Sequence, residues 1–203
     1  MMLSSNLKRF VPVMLLAPLL WGSPTWARPN RGTALLPSQG QQLLWEQESA
    51  RRASRDLSKA QGSLIRVRFL GERVSSREAS ALVDMGQNLL DQAQSQFQAG
   101  NLFAARETAK AADNLFKAAQ ILYESQLGYG SVSGRHWEAP LRAQEYLARA
   151  QAGNPSGTAA TLVSQANQLL NRSQGDPTGL PYGRAARHTA RAALHLLVAE
   201  RGF

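Results

Sequence analysis

A chain of 203 residues with 23 Lys and Arg against 14 Asp and Glu carries a formal charge of +9 at pH 7 and has no cysteine. Thiolate catalysis, cysteine metal sites and disulfide staples are therefore excluded, and stability has to come from packing. At this length a single core can bury roughly 70% of the unfolded surface without any staple.

The first 27 residues have the three parts of a secretory signal. Lys8 and Arg9 supply a positive start, residues 10–21 (FVPVMLLAPLLW) an apolar run, and Thr25 and Ala27 the small residues before a cleavage point. The run is too short to span a bilayer as a stable helix, and Pro12 and Pro18 interrupt it, which weighs against the competing reading of an uncleaved anchor. Cleavage after Ala27 implies export to the periplasm or another extracytoplasmic space. Residues 28–39, with Pro, Gly and Ser and no periodicity, read as a flexible linker to a single helical domain over 40–203.

From about residue 40 the apolar spacing becomes helical. Leu43, Ala50, Ala53, Leu57, Ala60, Leu64 and Val67 follow steps of three and four apart from one missed position at Glu46, a heptad-like seam. At about 100° per residue, Arg51, Arg52, Arg55, Lys59, Arg66, Arg73 and Arg77 fall within a ~100° arc opposite that seam. The two sets together predict one helix over about 40–73, despite Gly62 and Gly71 at about 1 kcal/mol each. Residues 64–69 also alternate as a strand would, so the bundle has five or six helices according to how they are read.

Ser75 and Glu78 make an S-x-x-E capping box for a second helix, with Ala79, Leu82, Val83, Gly86, Leu89, Leu90, Ala93 and Phe97 facing inward. Gly100 ends it and Asn101 is placed to cap a third, whose inner face is Leu102, Ala105, Ala109, Ala112, Leu115, Phe116, Ala119 and Leu122. So short a connection makes the pair an antiparallel αα-hairpin. A Gly/Ser loop over 126–138 precedes a fourth helix at about 139–151, with Leu141, Leu147 and Ala150 apolar. Asn154 and Pro155 are read as the cap and first-turn proline of a fifth at 155–172, and a last helix follows at 184–200.

The halves resemble each other. Leu82-Val83 and Leu89-Leu90 recur as Leu162-Val163 and Leu169-Leu170, offset by 80. Ala104-Ala105-Arg106, Thr108-Ala109, Ala112 and Leu115 recur as Ala185-Ala186-Arg187, Thr189-Ala190, Ala193 and Leu196, offset by 81. Two readings stand: chance likeness of alanine-rich helices, or duplicated helical hairpins stacked in one core. The expected fold is an all-α antiparallel helical bundle.

No motif names a chemistry. Gly128, Gly130 and Gly134 are spaced G-x-G-x-x-x-G and follow a helix, unlike a dinucleotide fingerprint, and neither a phosphate-binding P-loop nor H-E-x-x-H nor G-x-S-x-G occurs. Asp84 and Asp91 fall on the outer side of the second helix, and His136 stands alone beside Trp137. His188 and His195, two turns apart, share a polar stripe with Arg184, Arg187 and Arg191 and read as the solvated edge of a buried helix, because three cations there would repel a metal ion. No catalytic residue, metal or cofactor is assigned.

Beyond Lys8 the lysines are Lys59, Lys110 and Lys117; the other basic residues are arginines, whose planar fork pairs with carboxylate or phosphate at two points. The candidates for binding an anionic partner are Arg51, Arg55, Lys59, Arg66 and Arg73 on the first helix and Arg184, Arg187 and Arg191 on the last. Against this stands the plain alternative that charged faces meet water, with Glu46, Glu48, Asp56 and Glu72 partly cancelling the first set. The expectation is a non-enzymatic exported binding or scaffold module aimed at an acidic protein or other anionic envelope component. The rivals are a peripheral module for membrane headgroups or acidic polysaccharide, and a helical enzyme or cofactor carrier. Export disfavours nucleic acid as the anion.

Overall fold

Side chains that recur at helical intervals do form helices. The computed structural model describes residues 39–128, 138–175 and 179–202, and among these it holds six helices and no strand. They are α1 (Gln39–Gly71), α2 (Arg77–Gln98), α3 (Leu102–Gln126), α4 (Ala139–Ala152), α5 (Gly157–Gly175) and α6 (Leu180–Arg201), all within one compact unit. The expected signal peptide and linker, up to residue 38, and the segment with His136 and Trp137 lie outside the described residues.

Residues 64–69 continue α1: Val67 is buried while Ile65 and Phe69 are exposed, a helical distribution with no strand available to pair. The seam begins later than its spacing suggests. Ala53, Leu57, Ala60 and Val67 are buried, but Leu43 is 59% exposed, so the buried seam begins only near Ala53.

The cap of α2 is Ser76, one residue beyond the expected Ser75. Its extended backbone lets its Oγ accept from the Ala79 N–H at 3.3 Å. Glu78 therefore closes no capping box and instead accepts from Arg172 of α5 at 2.6 Å. Gly100 takes φ +77° between α2 and α3, a conformation that suits glycine. Asn101 occupies the cap position of α3, but its side chain makes no capping bond; its carbonyl accepts from Ala105 N–H at 2.9 Å.

Two later starts also differ from expectation. Asn154 has φ +47°, a left-handed conformation foreign to an N-cap, so it and Pro155 stay in the connection and α5 begins at Gly157. α6 starts at Leu180 rather than 184, since Pro181 fits a first turn. In α4, Ala143, Leu147 and Ala150 point inward while Leu141 is 56% exposed.

The helices pack as two like triplets. α3 contacts α1, α2 and α6, while α6 contacts α4, α5 and α3; α1 touches α2, and α4 touches α5, much less. The α3–α6 seam joins the triplets, and alanines fully buried on both helices (Ala105, Ala109 and Ala112; Ala186, Ala190 and Ala193) allow a close approach. His195 bonds to Glu107 and His188 to Asn114, so residues later in α6 meet residues earlier in α3, and the helices are antiparallel. The offset of 81 turns Glu107 into His188 and Asn114 into His195. One bond thus maps onto the other with its partners exchanged, as a two-fold axis between α3 and α6 requires. Each repeated unit is a triplet, with α1 or α4 added to the hairpin read from sequence.

Phe116 is wholly buried beneath α2, and a Cβ at Gly86 would come within 2.6 Å of its ring. At Gly62 the same atom would meet nothing within 4 Å. Urea denaturation should therefore give opposite signs for one kind of change. Gly86→Ala is expected to destabilise by about 1–3 kcal/mol through overpacking, and Gly62→Ala to stabilise by up to about 1 kcal/mol through helix propensity.

Candidate anion-binding edge

α3 is buried on nearly every side, so its polar side chains have to find partners within the bundle. Glu107, with its side chain 8% exposed, accepts from His195 Nδ1 at 2.8 Å and from Lys110 Nζ at 2.7 Å, with Arg106 Nε 4.0 Å away. Burial pushes its pKa up, but the hydrogen bonds and charges of His195 and Lys110 outweigh that and hold it at about 2. Asp113 accepts from Lys117 Nζ and Ser63 Oγ, both at 2.7 Å, and Lys59 lies 3.4 Å away. Burial opposes ionisation here too, and these partners again bring the pKa below the ordinary carboxylate value. Arg106 also reaches Asp56 of α1 at 3.4 Å. Every cation of this group on α3 thus has an acid beside it.

α6 is different. No carboxylate among the described residues forms an ion pair with Arg184, Arg187 or Arg191, the acids nearby being taken by other cations. Arg184 and Arg187 are half-buried and Arg191 is exposed. The Nε of Arg184 is buried without a hydrogen-bond partner, as is that of Arg106 on α3, but Arg106 has Asp56 at 3.4 Å. Burial lowers the pKa of Arg187; Tyr146 opposes the shift, and the charges of Arg184, Arg191 and Arg142 add to it. His188 is pushed down to about 3, first by burial and then by Arg187, Lys117, Arg191 and Arg184. It is therefore neutral, and the network sets its tautomer. Nδ1–H donates to Asn114 Oδ1 at 3.1 Å, and Nε2 accepts from Arg187 Nη2 at 3.3 Å.

The repeat explains the imbalance. Arg106 and Lys110 correspond to Arg187 and Arg191, so these bases persist in the second triplet, while Glu107 beside them corresponds to His188; Asp113 and its partner Lys117 correspond to Leu194 and Val198 and are lost together. Half-buried cations crowded together without counter-charge are held in a state that an arriving anion would relieve.

The histidines read from sequence as a solvated edge lie instead in the α3–α6 seam, each bonded across it. His188 and His195 bond to different α3 residues, and no three His, Asp or Glu side chains converge as metal ligands among the described residues. On α1, Arg51, Arg55 and Arg66 are exposed and Arg73 stacks its guanidinium 3.9 Å above the Phe69 ring. Lys59 leaves that group, turned to Asp113. The first-helix and last-helix candidates therefore form two separate surfaces. Glu107, Lys110, Asp113, Asn114 and Lys117 were missed as site neighbours. The available signal was that Glu107 and Asn114, like His188 and His195, are seven apart and 81 residues earlier.

Comparison of the chain with protein-family models, with curated proteins and with solved structures finds no match.

Proposed function

We propose that the protein is a non-enzymatic, exported binding module that holds an acidic partner protein against the arginine edge of α6. The observation that carries this reading is the loss of the Glu107 carboxylate at the equivalent α6 position, His188, while the neighbouring bases Arg106 and Lys110 are retained as Arg187 and Arg191. Three guanidinium groups along one helix edge match carboxylates in two-point fashion, and half-burial of Arg184 and Arg187 strengthens their contacts beyond those of a freely solvated pair. The proposed export signal over residues 1–27 places the partner in the same extracytoplasmic space.

A fluorescent poly-L-glutamate serves as the probe of an acidic protein surface. Its affinity should fall steeply from low to moderate salt, and Arg184→Gln, Arg187→Gln and Arg191→Gln together should weaken binding by at least about ten-fold, with circular dichroism unchanged. His188→Glu should do the same by restoring the missing carboxylate. If the triple variant binds as the wild type does, the edge has no part in capture.

A further inference from the structure

Six large apolar side chains stand exposed among the described residues, and five of them belong to α1: Leu43, Leu44, Trp45, Ile65 and Phe69. Such residues scattered singly over a surface need no explanation, but their gathering on one helix does. Trp45 is 75% exposed and Ile65 71%. From Gln41 to Arg52 every side chain but the half-buried Ala50 is exposed, so this end of α1 projects past the packed part of the bundle.

The arginines share that surface. At about 100° per residue, Leu44, Arg51, Arg55, Ile65, Arg66 and Phe69 lie within a ~100° arc facing away from the buried Ala53, Leu57, Ala60 and Val67, and Arg73, just past the end of α1, joins them by stacking on Phe69. Glu48, the acid within the arc, is already bound by Arg52 at 2.8 Å, and Glu72 sits at its margin. The result is a straight ridge ~40 Å long, with apolar residues at both ends and cations between and beside them. Cavities lie elsewhere, such as one of about 450 Å³ between α2 and α5 lined by Leu82, Gln165 and Leu169.

We propose that this outer side of α1 lies on the surface of an anionic lipid bilayer. A bilayer offers a phosphate layer for the guanidinium groups and, just below it, an apolar boundary that takes in Leu44, Ile65 and Phe69, with the exposed Trp45 about 60° outside the arc at its flank. Tryptophan is at home at that depth, with its ring in the apolar boundary and its N–H toward water. An acidic polysaccharide would satisfy the arginines but leave the apolar side chains in water. A folded acidic partner would need a matching row of pockets and charges along the whole ridge, whereas a bilayer fits in any register. Among the described residues no helix is long and apolar enough to cross a membrane, so the contact is peripheral. The surface is distinct from the α6 edge and stands or falls without it.

The test is co-sedimentation of the chain beginning at Arg28, which contains the whole compact unit Pro37–Phe203, with two kinds of vesicle. It should pellet with phosphatidylcholine vesicles containing phosphatidylglycerol and stay in solution with phosphatidylcholine alone. The emission blue shift on binding should be lost in Trp45→Phe. Ile65→Ser with Phe69→Ser, both at exposed positions, should weaken binding at least about ten-fold, as should Arg51→Gln, Arg55→Gln and Arg66→Gln together. The Arg184, Arg187 and Arg191 variant should bind vesicles normally, which separates this surface from the α6 edge. Failure to bind the anionic vesicles overturns the proposal, as does full binding by the Ile65 and Phe69 variant. Capture of poly-L-glutamate through the α1 arginines without vesicle binding would overturn it in favour of an acidic protein.

Discussion

Acidification from pH 6.5 to about pH 5 is expected to lower the unfolding free energy by about 2 kcal/mol, and His188 is the main cause. In the folded chain its pKa is held near 3 by burial and by Arg187, Lys117, Arg191 and Arg184, against an ordinary value of 6.5. Below pH 6.5 the unfolded chain takes up a proton at this site and the folded chain does not, so unfolding becomes easier by about 1.4 kcal/mol per pH unit. The penalty is absent above about 6.5 and grows as the pH falls toward 3, where the stability lost amounts to about 5 kcal/mol. A second window opens lower down. Glu107 is depressed from 4.5 to about 2, so its contribution is present above 4.5 and is lost as the pH falls toward 2. Asp113 acts in the same direction. His188→Gln keeps a donor for Asn114 and an acceptor for Arg187 but cannot titrate, and its stability should be nearly flat from pH 6.5 to about 5. Urea denaturation across that range checks both chains; equal slopes would show that His188 is not the group responsible.

That histidine shows where sequence reading stops. Periodicity reports which residues share a face, and it placed Ala53, Leu57, Ala60 and Val67 together correctly. It does not report how far the neighbouring helices extend, so Leu43 was counted in a seam that begins only after it. Nor does it tell a polar stripe that meets water from one that meets another polar stripe. His188 and His195 looked solvated because their partners lie on α3, 74 and 88 residues away in the chain. Cap phase is lost at the same scale: Ser75 and Ser76 both precede an acceptable helix start, and only backbone geometry selects Ser76. Asn154 and Pro155 satisfy a compositional rule for an N-terminus, yet the left-handed turn at Asn154 delays α5 by two residues. The repeat was the most informative signal. Taken as a two-fold operation, it pairs Glu107 with His188 and Asn114 with His195, and so reaches the α3–α6 seam from residue numbers alone. The arginine sets were legible as two surfaces, but their difference was not, because it rests on acids supplied by other helices.

Glu107→Ala is expected to destabilise the fold by about 3–5 kcal/mol, the range for removing one partner from a buried charge network. The loss is large because three groups converge on this carboxylate: His195, Lys110 and Arg106. Lys110 would lose its counter-charge and His195 its hydrogen-bond partner, while Arg106 keeps Asp56 at 3.4 Å; Lys110 and Arg106 are partly exposed and can turn to water. Glu107→Leu combined with His195→Leu should regain much of the loss, since an apolar pair removes the stranded imidazole as well as the carboxylate, and the non-additivity measures their coupling. Binding should move the opposite way from stability. With Glu107 gone, Lys110 would be freed of this acid, while Arg106 would keep Asp56. Poly-L-glutamate should then bind the milder Glu107→Gln variant more tightly than the wild type, while urea unfolds that variant earlier. Tighter binding together with lower stability is what acid depletion at these positions demands; weaker binding by a Glu107→Gln chain that remains folded would mean that the arginine edge does not act through its uncompensated charge.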